Sequence, residues 1–195
     1  MKSSKFRSQR GFIFLETAIS LPIISMILVS TAMIFWQGWK LYRAEVADWI
    51  LQEEIFHAMQ HITEHVSEAQ GYRQANGIFQ NGVTISTLAN GFDRLEIKAG
   101  IIHRVNTTAL YERKVESTVY IVDLDGENNF QLYADSTKEP LTGRNVLLGR
   151  VEITRFKCIL KRPDLLRIEL RGKSWKSKHE YEISTEIFLK NMPHE

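Results

Sequence analysis

At 195 residues, with 44% hydrophobic and 25% charged side chains, the chain has the size and balance of one ordinary domain with a core of its own. Its formal charge of +2 is nearly neutral but unevenly placed. Lys2, Lys5, Arg7 and Arg10 all precede Gly11 with no acidic residue among them, and without them the balance turns slightly negative, so charge gives no argument for a nucleic-acid coat. Cys158 is the only cysteine, which excludes an intramolecular disulfide and a zinc site of several thiolates.

From Phe12 to Trp36 run 25 residues with a single charge, Glu16. As a helix rising about 1.5 Å per residue, this run crosses a hydrocarbon core of about 30 Å. It is apolar all round, which suits lipid better than the interior of a soluble protein. Four cations before it, against Lys40 and Arg43 offset by Glu45 and Asp48 after it, place residues 1–11 in the cytoplasm and the rest of the chain outside. A plain signal anchor and a cleaved secretory signal compete with this reading. Ser30-Thr31-Ala32 offers the small residues of a signal-peptidase site, but the apolar run before it exceeds the roughly 7–15 residues of such a signal. Glu16 is the exception in the run, because a carboxylate in hydrocarbon is costly and ordinarily has a partner or a task.

Arg10-Gly11-Phe12-Ile13-Phe14-Leu15-Glu16 resembles the type III signal of type IV pilins and pseudopilins. The resemblance implies cleavage by a prepilin peptidase between Gly11 and Phe12, methylation of the new Phe12 amine, and pairing of Glu16 with the amine of a neighbouring subunit during assembly. A buried carboxylate and a buried ammonium are each unfavourable alone, so docking one subunit against the next lets them pair and favours correct register. Ile13-Phe14 departs from the threonine-leucine type of pair common in the family. Pro22 removes one helical hydrogen bond inside the run and predicts a kink. Glu16-Thr17-Ala18-Ile19-Ser20-Leu21-Pro22 is also similar to the start of the tight-adherence pseudopilins, so the subfamily stays open. The implied partners are the peptidase, other pilin or pseudopilin subunits, an inner-membrane assembly platform and membrane lipid; no cofactor is implied.

Beyond Gly38, Ile55, Met59, Ile62, Val66 and Ala69 fall at i, i+4, i+7, i+11 and i+14, one apolar helical face that ends near Gly71 and is expected to pack on the following sheet. Residues 51–69 also look like the corresponding helix of the W-type minor pilins and J-type minor pseudopilins. His57, His61 and His65, with Glu53, Glu64 and Glu68 nearby, invite a metal-site reading. Their phase, about 200° from the apolar face, predicts a solvated surface instead.

From Ile78 onward the apolar period changes from helical to two. Leu95-Glu96-Ile97-Lys98 and Ser117 to Val122 read as strands. Leu166, Ile168 and Leu170, then Tyr181, Ile183, Thr185, Ile187 and Leu189, alternate with charged or polar residues, one face buried and one wet. Turns at Lys161–Asp164 and at Gly172–Lys178 predict an antiparallel meander over residues 151–190, and a shift of apolar parity between Ile153 and Phe156 predicts a bulge near Thr154-Arg155. The strand order resembles the W-type and J-type minor subunits.

The expected fold class is α+β, a long amino-terminal membrane helix packed on an antiparallel β-sheet domain. The expected divisions are a basic leader at 1–11, a transmembrane and assembly helix at 12–37, its extracytoplasmic half at 38–71, and a pilin-like β-rich domain at 72–195. Asp123 to Asn129 gathers oxygen ligands but lacks the spacing of an EF-hand and reads as a hairpin turn. Lys173, Lys176 and Lys178 around Trp175 read as a solvated loop, with contact to DNA or glycan as the sharper alternative. Cys158 reads as a buried thiol. No nucleophile elbow, phosphate loop or metal-ligand motif stands out, so the expected role is not enzymatic. The leading expectation is a minor pilin or pseudopilin that initiates, caps or decorates a filament, serving adhesion, motility, DNA uptake or secretion from the cytoplasmic membrane. The alternative is a membrane-anchored extracytoplasmic binding module that never enters one.

Overall fold

The computed structural model describes residues 5–69, 72–73, 79–80, 82–104, 111–134, 140–142 and 151–189, with the backbone alone at 5–12, 72–73, 79–80, 99–104 and 111–116. The fold is α+β. One helix, α1 (Lys5–Ser67), precedes nine described strands: β1 (Tyr72–Arg73), β2 (Phe79–Gln80), β3 (Val83–Thr87), β4 (Asp93–Arg104), β5 (Tyr111–Leu124), β6 (Phe130–Ala134), β7 (Val151–Arg162), β8 (Leu165–Ser174) and β9 (Glu180–Phe188). The chain divides into two compact units, residues 1–44 and 45–195.

In the first unit α1 is helical from Lys5, before the expected start at Phe12, and continues as α-helix through Pro22 and Gly38. Its large apolar side chains from Ile13 to Tyr42 are exposed, among them Phe14 at 77%, Met26 at 74% and Phe35 at 75%. So much uncovered apolar surface is foreign to water-exposed helices. Described residues of this helix are long and apolar enough to cross a membrane.

In the second unit the same helix behaves as an ordinary amphipathic element. Ala47, Ile50, Leu51, Ile55, Ala58, Met59, Ile62, Val66 and Ala69 are buried, so the face expected from Ile55 to Ala69 is the face that packs. The helix ends at Ser67, four residues before Gly71. Glu68 N–H donates to His65 O at 3.2 Å and Ala69 N–H to Val66 O at 3.1 Å, a tightened last turn that satisfies two carbonyls left over at the helix end.

The described strands form a two-stranded pair β1-β2, a four-stranded antiparallel sheet β3-β4-β5-β6 and a three-stranded antiparallel sheet β7-β8-β9. Leu95, Ile97, Tyr120, Val122 and Leu132 from the larger sheet, and Val151, Ile153, Phe156, Leu166, Ile168 and Leu170 from the smaller, join the helical stripe in one core. Burying an aliphatic side chain of this size contributes roughly 1.5–3 kcal/mol, and this stripe fixes the helix to the sheets. The β7-β8-β9 meander has the expected bulge, with the register shifting between Ile153 and Arg155, and a second irregularity between Leu160 and Arg162. The first reverses which side of β7 faces inward, so that Ile153 and Phe156 are both buried.

The expected turn at Gly172–Lys178 is present but shorter than those bounds. β8 continues to Ser174, with Gly172 paired to Ile153 and Tyr181, and the chain reverses at Trp175–Ser177. Gly172 serves close packing instead: a Cβ there would lie 2.6 Å from Ile55 Cδ1. The expected boundary at residue 71 lies outside the described residues.

The sheets adjoin through Asp93, a buried residue at the start of β4. Its Oδ1 accepts from Thr87 Oγ1 at 2.9 Å, and its Oδ2 accepts from the Cys158 backbone N–H at 2.8 Å. A carboxylate buried with both oxygens hydrogen-bonded acts as a clasp between β4 and β7. On the outer face of β7-β8-β9 the charges compensate one another: Glu169 lies 2.8 Å from Arg155 Nη2 and 3.0 Å from Arg167 Nε, Glu186 pairs with Lys161, and Glu182 with Arg171.

Candidate functional site

The residues expected to carry function fall on α1 before Pro22. The Gly11 and Phe12 backbones lie in the helix, and their side-chain surroundings lie outside the described residues. One turn after Phe12 comes Glu16, exposed on the helix surface and flanked by Leu15, Ile19, Ser20 and Ile23. Every other polar side chain nearby is satisfied by the helix itself. Thr17 Oγ1 donates to Ile13 O and Phe14 O at 3.1 and 3.0 Å, Ser25 Oγ to Leu21 O at 2.8 Å, Ser30 Oγ to Met26 O at 2.8 Å, and Thr31 Oγ1 to Ile27 O at 2.8 Å. A hydroxyl can hide its polarity in this way because it both donates and accepts. An ionised carboxylate only accepts, and an α-helix offers no free N–H in its interior. Among the described residues Glu16 has no hydrogen-bond or ion-pair partner. In apolar surroundings a carboxylate so placed calls for a donor.

The histidines depart from the expectation of a common solvated face. Each four-residue step advances about 40° around a helix of 3.6 residues per turn. The three therefore walk from solvent toward the sheet. His57 is exposed, 3.8 Å from Glu53, whereas His61 and His65 are half-buried. His61 Nδ1 lies 2.8 Å from the hydroxyl of the fully buried Tyr120, and the His61 and His65 rings are 4.5 Å apart. They form a polar latch between helix and β5. No group of three or more metal-ligating side chains occurs among the described residues.

Of the segment Asp123 to Asn129, Asp123 and Leu124 end β5 and Asp125 to Asn129 form the turn into β6. Asp125 Oδ1 accepts from the Glu127 and Asn129 backbones at 2.8 and 2.9 Å, Oδ2 accepts from Gln131 Nε2 at 2.9 Å, and Asn128 takes a φ of 62°. Its oxygens are spent on the turn. Trp175 stands exposed at the tip between β8 and β9, and Lys178 there adopts a φ of 60°. Cys158 is buried as expected. Burial, and then the charge of Asp93, push its thiol well above the ordinary range, which holds it in the unreactive protonated form.

Sequence reasoning passed over one cluster on α1. Lys40 Nζ sits 5.4 Å from the Trp36 ring centroid, the Arg43 guanidinium 5.5 Å from that of Trp39, and Trp39 and Tyr42 are 5.9 Å apart. Three- and four-residue spacing of aromatic and basic residues just after the apolar run was the signal available for it. The chain matches no family model, no curated protein and no solved structure.

Proposed function

We propose that the chain is a prepilin-like subunit, a minor pilin or pseudopilin, whose role is assembly into a type IV pilus-like filament. The leader through Gly11 is removed on the cytoplasmic side, Phe12 becomes the methylated amino terminus, and the apolar helix passes from the membrane into the filament. Residues 38–195 then form the extracytoplasmic part. The observation that carries this reading is Glu16: a carboxylate exposed among apolar side chains, without a partner among the described residues, and fifth from a Gly11-Phe12 junction. The ammonium of Phe12 on a neighbouring subunit supplies the donor that Glu16 lacks.

Glu16→Gln tests the pairing. The variant keeps the size of the side chain and inserts and matures like the wild type, but loses the charge attraction to the neighbour's amine. It is expected to remain in the membrane fraction and to disappear from sheared surface material and from crosslinked subunit ladders in the native cell. Normal recovery of the variant in both would defeat the assembly role of Glu16.

A further inference from the structure

The side of α1 bearing Trp36, Trp39, Lys40, Tyr42 and Arg43 has a different chemistry from the rest of the helix. The apolar run of 25 residues from Phe12 to Trp36 measures as helix about 38 Å, more than a hydrocarbon core of roughly 30 Å. A span of that length brings the cluster to the level of the lipid headgroups, where indole and phenol rings are at home. The three rings are exposed, Trp36 at 63%, Trp39 at 53% and Tyr42 at 60%. Each of the two cations is held against an indole face one turn before it. That contact leaves the N–H donors of Lys40 and Arg43 directed to the surroundings while their alkyl stems cover the helix.

On α1, no acidic residue shares the side of Trp36, Trp39, Lys40 and Arg43. Glu45 and Asp48 come nine residues after Trp36 and Trp39, about two and a half helical turns, and so lie across the helix from those two rings. Asp48 is in any case engaged, its Oδ2 2.6 Å from His179 Nδ1. The local charge is therefore positive, uncompensated by a carboxylate on that side, and framed by interfacial aromatic rings.

We infer that Trp36, Trp39, Lys40 and Arg43 form a site for the phosphate of an anionic membrane phospholipid. Arg43 engages the phosphate by its fork of donors and Lys40 by its point charge. The rings hold the cations in place and pack on the glycerol and upper acyl region. A bound anionic lipid fixes the depth and rotation of the span. The inference rests on the membrane-spanning reading of α1 and not on cleavage or filament assembly.

The full chain carrying Trp49→Phe and Trp175→Phe, both at exposed positions, retains Trp36 and Trp39 as its only fluorophores of this kind. It is reconstituted into phosphatidylcholine vesicles containing a fixed minor fraction of brominated lipid, either phosphatidylglycerol or phosphatidylcholine. Enrichment of the anionic lipid at the cluster predicts quenching by brominated phosphatidylglycerol about twofold or more above that by the same fraction of brominated phosphatidylcholine. In Lys40→Gln/Arg43→Gln the excess is expected to vanish while quenching by brominated phosphatidylcholine stays unchanged. Equal quenching by the two lipids, or an excess that survives the double substitution, overturns the site. Loss of the excess on adding inorganic phosphate at matched ionic strength overturns the lipid assignment in favour of a free-anion site. Absence of quenching by either lipid, with no flotation of the chain with vesicles, instead overturns the spanning reading and the site with it.

Discussion

The two halves of α1 are the same secondary structure in two different settings. Before residue 45 the large apolar side chains are exposed: Ile13, Leu21, Ile27 and Ile34 are all more than half accessible. After it, Leu51, Ile55, Ile62 and Val66 are at or near zero. Composition alone does not separate the halves, since both are rich in aliphatic residues. The separation lies in phase, because the second half confines its aliphatics to one stripe and surrounds it with Glu53, His57, Gln60 and Glu64, whereas the first has them on every side. A helix with a stripe is completed by a sheet of its own chain. A helix without one needs a surrounding phase or other helices.

The largest effect that separates the halves is a truncation. Ile62→Ala removes a fully buried side chain and is expected to cost about 2–5 kcal/mol of domain stability. Ile27→Ala, in the exposed half, leaves that stability unchanged. Denaturant unfolding of the full chain in detergent, followed by the β-sheet signal, measures both. Equal losses in the two variants would erase the distinction between the halves.

A smaller effect tests how the second unit is joined internally. Asp93→Ala leaves the Cys158 N–H and the Thr87 hydroxyl without their acceptor, an expected cost of about 1–3 kcal/mol. It should also expose Cys158 to thiol reagents in the folded state. An unchanged unfolding midpoint and a thiol still protected would show that the sheets are held without this clasp.

The smallest effect concerns the outer face of β7-β8-β9. The hydrogen bond from Lys161, offset in part by desolvation and aided by the charges of Lys161, Arg167 and Arg162, holds the Glu186 carboxyl below its usual range. A carboxyl lowered in the folded state contributes stability above its unfolded pKa, and that contribution is lost as pH falls through the folded value. Glu186→Gln is therefore expected to lower the melting temperature slightly at neutral pH and to have no effect in strong acid. Parallel melts at the two pH values check the sign, and a larger effect in acid would reverse the assignment.

Much of this architecture was legible in the sequence because it follows from period and parity. The stripe from Ile55 to Ala69, the alternation in β8 and β9, and the bulge between Ile153 and Arg155 all leave marks on a single segment. What was missed depends on contacts between segments. Asp93 is one acidic residue at a strand start, and nothing local says that β7 brings an amide to it. Gly172 reads as a turn until Ile55 is placed over it. His61 and His65 share the phase of His57 only when the four-residue repeat is taken as a full number of turns; it carries each successive ring about 40° further, toward the core. The candidate site rests on the sequence alone: Gly11, Phe12 and Glu16 are close in the chain, and the proposal for them follows from their place at the start of the apolar run.

The most direct test of the central claim is the amino terminus of the protein from its native membrane. Intact mass and terminal peptide analysis of the wild type and of Gly11→Ala are compared. The account predicts a mature chain beginning at Phe12, carrying one methyl group on its amine, and an unprocessed chain in the variant. A wild-type chain that keeps residues 1–11, or that begins after Ala32, would contradict it and leave an anchored or secreted binding module in its place.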